Sequence, residues 1–105
     1  GGAELQFDVP TQHTGISYEV TLFFVEIYSP TARTGARVFD VIIDGQLVLD
    51  NFDVFAAAGA INRGIARTFQ ITSDGNVDID FGHVNENPAI AGVSVKQIDQ
   101  VFSTP

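Results

Sequence analysis

Residues 37–55 read RVFDVIIDGQLVLDNFDVF, and the fold of the whole chain follows from this stretch. Phe39, Val41 and Ile43 alternate with Asp40, Ile42 and Asp44, the period of two expected of a strand. Asp44-Gly45 then offers a two-residue turn, because Gly takes a positive φ without steric cost and Asp tolerates it. Leu47-Val48-Leu49 reads as the returning strand. Asp50-Asn51-Phe52-Asp53 reads as a polar turn around one aromatic. A hairpin of this kind belongs to a layered β domain.

Working outward, residues 4–9 alternate weakly and predict a short strand ending at Pro10, with Thr11 to Gly15 as a turn. Residues 16–28, ISYEVTLFFVEIY, predict the longest strand. Ile16, Tyr18, Val20, Leu22 and Phe24 share one face. The other face is polar at first and apolar at Phe23, Val25 and Ile27, which predicts cover on both sides at the far end. Residues 29–36 read as a loop. Residues 56–64, AAAGAINRG, fit either a loop or a single helical turn, since alanine favours helix and glycine opposes it. Residues 65–72 predict a strand with Ile65, Arg67, Phe69 and Ile71 on one side. Ser73 to Asn76 read as a turn, Val77 to Phe81 as a half-buried strand, 82–88 as a polar loop, and 89–98 as the last strand. About seven strands with regular turn signals and no amphipathic helix define an all-β fold, an antiparallel β-sandwich of jelly-roll or galactose-binding-like type.

Composition narrows the function. At 105 residues the chain holds one domain and one core (residues 1–105). Five Lys or Arg stand against thirteen Asp or Glu, a net charge of −8 without a basic stripe, which excludes nucleic acid and anionic membranes as expected partners. No apolar run is long enough for membrane insertion, and no secretory signal is read. The opening GGAELQF reads either as a remnant of an expression tag or as the middle of a longer polypeptide. The absence of cysteine excludes disulfides, thiolate catalysis and Cys-based zinc sites.

Four pieces, YEVTLFFVEIYS at 18–29, GARVFDVIIDGQLVLDNFDV at 35–54, AAAGA at 56–60 and NENPAIAGVSV at 85–95, occur in an order that resembles the malectin family. These are β-sandwich, lectin-like domains that include carbohydrate-binding modules attached to larger proteins. The hairpin and the pattern Phe24, Glu26, Ile27, Tyr28 carry the resemblance. It implies a neutral oligosaccharide ligand of glucose type, neighbouring domains of a parent protein as partners, and a secreted or cell-surface setting. Domains of the family usually carry a further N-terminal segment, for which no counterpart is read here.

Sugar sites need an aromatic face for the C–H face of a pyranose and fixed polar groups for its hydroxyls. The resemblance places Tyr28 as the stacking residue, with Glu86, Asn87 and Asn85 in the loop before the last strand reading hydroxyls. Ser29 stands where the family often has a second aromatic. The plainer readings are a rim tyrosine and a solvated loop carboxylate.

Glu26 lies on an apolar face, and a carboxylate there needs a partner. Arg37 is the expected one, as a structural ion pair, with Arg67 as the alternative. Asp50, Asn51 and Asp53, and Asp78 with Asp80, are clustered oxygens of the kind that hold a structural Ca²⁺. Their spacing matches no defined loop, and turn capping explains them more simply. No cofactor is otherwise implied. His13 and His83 fall in predicted loops without a nucleophile arranged beside them. Glu19 and Glu26 sit seven apart on one strand and so on opposite faces, which removes the most obvious glycosidase pair. The expected function is non-catalytic carbohydrate binding. The alternative is a structural or protein-interaction module that has lost it, with exposed strand edges that favour self-association.

Overall fold

The computed structural model describes residues 3–86 and 88–98, and among these it leaves out the side chains of 3–5, 12–14, 73 and 74. Five strands form the ladder: β1 (Ala3–Phe24), β2 (Val38–Ile43), β3 (Gln46–Asp53), β4 (Ile65–Asn85) and β5 (Gly92–Gln97). A 3-10 turn spans Ser29–Thr31, and one short helix, α1, spans Val54–Ala58. All pairings are antiparallel, in the order β3-β2-β4-β1-β5.

The hairpin of β2 and β3 forms around Asp44 and Gly45, whose φ angles of 50° and 79° are the paired positive values of a tight hairpin turn. Asp50 to Asp53 do not turn the chain. They continue β3, and Asn51, at φ 52°, sits where the register with β2 slips. Asp40 stabilises this bulge by accepting a hydrogen bond from the Asn51 amide at 2.8 Å.

β1 and β4 are each more than 20 residues long and pair along nearly their whole length. Both bend where the sequence reads as turns. The β1–β4 register shifts between Pro10 and Thr14 and again between Thr14 and Ser17, and Gly15 and Gly75 take φ angles of 75° and 107°. Thr11 to Gly15 and Ser73 to Asn76 are therefore bends within strands and not reversals. Pro10 is accommodated beside the irregularity, where a missing amide donor does least damage.

Bending turns the two long strands into four segments, giving seven strand segments in two facing layers. The lower layer holds β3, β2, residues 76–85 of β4 and residues 3–10 of β1. The upper layer holds residues 65–72 of β4, residues 17–24 of β1, and β5. Val20, Leu22 and Phe24 of the upper layer meet Phe39, Val41, Ile43, Phe52, Val77, Ile79 and Phe81 of the lower one in a single buried cluster. The Phe24 ring lies 5.8 Å from that of Phe39 and 4.8 Å from that of Phe52, so the layers touch through aromatic rings.

Two further expectations change. β1 ends at Phe24, so residues 25–28 leave the sheet. Phe23 and Ile27 are 42% and 70% exposed instead of covered, because β5 adds beside β1 and not over its outer face. β4 continues to Asn85, so residues 82–85 are strand, held by pairing with β2 from Val38 to Asp40. His83 is thus a strand residue opposite Phe39, and His13 lies within the bend of β1.

Candidate functional site

Three connections leave the sandwich at one end. Phe24 pairs with Ile65 at the last rung of the upper layer, and Val38 pairs with both Asp53 and Asn85 at the last rung of the lower layer. The segments 25–37, 54–64 and 86–91 all start or finish on these rungs. Backbone and side-chain bonds tie them together. The Asn62 amide donates to the Glu26 carbonyl at 2.7 Å, the Asn85 amide group donates to the Gly35 carbonyl at 3.1 Å, and the Ala91 amide donates to the Phe23 carbonyl at 2.7 Å.

Asp53 is the tether at the centre of this end. One carboxylate oxygen accepts from the Ala56 amide at 3.0 Å and caps α1, and the other accepts from the Gly35 amide at 2.6 Å. Gly59 closes α1 in the left-handed conformation at φ 83°. The segment 56–64 is therefore one helical turn followed by a loop, fixed at both ends.

The loop that carries Tyr28 is held by a buried charge. Glu26 is 2% exposed, and its Oε1 accepts from Arg37 Nε at 2.8 Å. Its other oxygen accepts from the Tyr28 amide at 3.2 Å. Arg37 also donates to Thr31 Oγ1, which in turn donates to the Tyr28 carbonyl. Both backbone polar groups of Tyr28 are thus engaged by the ion pair and its neighbour, while the side chain is 56% exposed. Arg67, the alternative partner for Glu26, instead lies over the Phe52 ring with its guanidinium carbon 5.5 Å from the ring centroid.

Asn85 and Glu86 lie exposed on the third connection, Glu86 at φ 58° and Asn85 committed in part to Gly35. Asn87 lies outside the described residues. The structure joins Asn85 to the Gly35 stretch that leads into Arg37, so the two predicted clusters share one end of the molecule. Thr31, a buried polar residue in the middle of the lock, carried no signal in sequence, since a threonine beside a proline reads as ordinary loop. Of the clustered oxygen-bearing residues, Asp53 caps and tethers and Asn51 forms the bulge. Among the described residues no group of three His, Cys, Asp or Glu is placed to hold a metal ion.

A two-layer β domain that presents three interlocked connections and, at the same end, an exposed tyrosine on a fixed backbone has the build of a recognition module. The malectin domain model matches residues 1–100, and the chain belongs to that family. No curated protein matches it in sequence. Among solved structures, it is similar to the plant receptor FER in a complex with the peptide RALF23 and LLG2 (TM-score 0.81, 16% identity, 91% of this chain and 28% of that one). It is also similar to the ANX2 ectodomain from Arabidopsis thaliana (TM-score 0.75, 15% identity, 90% and 28%). A β-glucuronidase from Bacteroides uniformis shares the fold as well (TM-score 0.75, 19% identity, 90% and 10%). At such identities the likeness is one of fold, and this chain spans only between 10% and 28% of those proteins.

Proposed function

We propose that this domain is a non-catalytic carbohydrate-binding module that takes a neutral oligosaccharide of glucose type at the loop end, as one part of a larger protein. The observation that carries the reading is Tyr28, half exposed while its backbone is clamped on both sides by the Glu26–Arg37–Thr31 lock. With the backbone already fixed, only the side-chain torsions of Tyr28 have to be ordered when a sugar stacks on the ring, which lowers the cost of the contact. Glu86 and Asn85, with Asn87, supply acceptors and donors for hydroxyls from the neighbouring connection. Malectin family membership supports the same reading. It needs no cofactor and no nucleophile, and Glu26, the carboxylate nearest Tyr28, is committed to Arg37 and so is unsuited to acid catalysis.

Calorimetric titration with soluble glucose oligomers of both anomeric linkages tests the proposal. Binding is expected, and Tyr28→Ala is expected to weaken it roughly tenfold, the worth of one aromatic contact. Because Tyr28 is 56% exposed, the variant should keep its unfolding midpoint, with a change within about 0.5 kcal/mol. No heat with any oligomer, or unchanged affinity in Tyr28→Ala, removes the reading.

One observation favours protein recognition as a second reading. Ile27, beside Tyr28, is 70% exposed, and an aliphatic group offers nothing to a hydroxyl. The FER relative was solved in a peptide complex, so a partner chain or a second copy seated here is the competing occupant. Light scattering over a concentration series separates it from the first, with a monomer at high concentration counting against self-association.

A further inference from the structure

A two-layer sandwich leaves a pair of strand edges on each layer, and this sequence treats them differently. The lower layer ends at β3 and at residues 3–10 of β1. β3 carries Asp50 and Asp53 and slips register twice against β2. Residues 3–10 carry Glu4, Asp8 and Pro10. Charge, bulges and proline are the usual devices that stop a further strand from adding to an edge. The upper layer ends at β5 and at residues 65–72 of β4. β5 begins at Gly92 and carries Lys96. Residues 65–72, IARTFQIT, hold no acid, proline or glycine, and β-branched and aromatic residues predominate. Their one charge, Arg67, is folded over the Phe52 ring.

β1 fixes the direction of the free backbone groups on this edge. The Ser17 carbonyl accepts from the Ile98 amide and the Phe23 carbonyl from the Ala91 amide, so Ser17, Glu19, Thr21 and Phe23 turn their backbone groups toward β5. Tyr18, Val20, Leu22 and Phe24 turn theirs toward β4 and engage Ile71, Phe69, Arg67 and Ile65. Ala66, Thr68, Gln70 and Thr72 therefore present their amides and carbonyls away from β1. Arg67 Nη1 reaches the Ala66 carbonyl at 2.9 Å, on that open side. Among the described residues no strand pairs there. The side chains of Ala66, Thr68, Gln70 and Thr72 are exposed, while Ile65, Phe69 and Ile71 pack against the core and remain half-buried.

We infer that this edge pairs with the same edge of a second copy of the chain, antiparallel across a two-fold axis at Phe69, joining two upper layers into one sheet. The edge is its own complement. About Phe69, Ala66 falls opposite the partner's Thr72 and Thr68 opposite the partner's Gln70, so outward amides and carbonyls meet in pairs. Arg67 falls opposite the partner's Ile71, so like charges are not opposed. The two Phe69 rings meet on the core side at the axis, in the closer, non-hydrogen-bonded kind of pair, and each covers the flank that the other leaves open. Two chains of net charge −8 repel where acidic edges meet, and IARTFQIT keeps acids out of the contact.

A contact between two short edges is small, so the expected dissociation constant is about 10–100 µM. Sedimentation equilibrium at concentrations up to about 1 mM should therefore reach the mass of a dimer. Added salt should tighten the dimer, because it screens the repulsion between two acidic chains. Amide spectra of ¹⁵N-labelled protein over the same series should shift Ala66, Thr68, Gln70 and Thr72 and leave Val93 and Val95 of β5 in place. Gln70→Pro removes an outward amide at an edge position that tolerates proline, and removes it from both copies, so it should weaken the dimer at least roughly tenfold. Tyr28→Ala, at the loop end, should leave the dimer as it is. A monomer at the highest concentration, shifts that fall on residues 92–97 or 25–37 instead, dissociation by Tyr28→Ala, or unchanged association in a folded Gln70→Pro protein overturns the inference. The spectra use the native chain and decide even if Gln70→Pro does not fold.

Discussion

Glu26 and Arg37 show how one charged residue in an apolar stretch decides local structure. Both carboxylate oxygens of Glu26 are used, one by the Arg37 guanidinium and one by the Tyr28 amide. Removing the cation leaves a nearly buried charge with a single amide for company, so Arg37→Met should cost about 3–5 kcal/mol in urea unfolding. Adding Glu26→Gln to that variant should restore part of the loss, because the stranded charge is then gone. A single variant within about 1 kcal/mol of the native protein would show the pair to be incidental. The pair was legible in sequence, because a glutamate on the face of Val20, Leu22 and Phe24 has to be matched. Its second role was not. That Glu26 also holds the Tyr28 backbone depends on the chain leaving the sheet at Phe24, whereas the alternation continues without a break through VEIY.

At the scale of elements, the hairpin around Asp44-Gly45 was readable because alternation and turn residues agree and the partners are adjacent in sequence. The long β1–β4 pair was not. Pro, Gly, Ser and Asp punctuate both tight turns and bulges, and only the strand opposite decides whether the chain reverses or bends. The same pairing creates an electrostatic conflict. Asp8 faces Asp78 directly across the ladder, the Asp78 amide donates to Asp44, and Asp80 lies two residues on, with one oxygen buried and unbonded among the described residues. Like charges opposite one another destabilise a sheet. Hydrogen bonding to the Asp8 carboxyl, then desolvation, then the charges of Asp8, Asp44 and Asp80, raise the Asp78 pKa from 3.8 to about 6. A folded pKa above the unfolded one means that the folded state holds this proton more tightly. Its stabilising contribution is complete below about pH 4 and is lost as pH rises through about 6. The thermal midpoint should therefore fall between pH 4 and pH 7, and Asp78→Asn should flatten that slope. An Asp78→Asn profile parallel to the native one would place the conflict elsewhere.

For the molecule as a whole, the bend makes the two layers parts of one structure. β1 and β4 run through both, and the core cluster draws residues from each. Phe24 is the residue on which this rests. It belongs to the upper layer, is fully buried, and its ring packs on Phe39 and Phe52 of the lower one. Phe24→Ala should cost about 3–5 kcal/mol, a large share of the about 5–15 kcal/mol that holds a domain of this size. The loss should be shared: neither layer has a second face of its own to bury, so neither can persist when the other separates. The chain has no Trp and two Tyr, Tyr18 buried in the upper layer and Tyr28 exposed at the loop end, so in a Tyr28→Phe background tyrosine emission follows the upper layer while far-ultraviolet circular dichroism averages over both. In that background, with and without Phe24→Ala, the two signals should trace one urea transition, shifted in midpoint but not in slope. Separate transitions would mean that the layers fold independently and that the loop end, whose connections come from both, is assembled only when they dock.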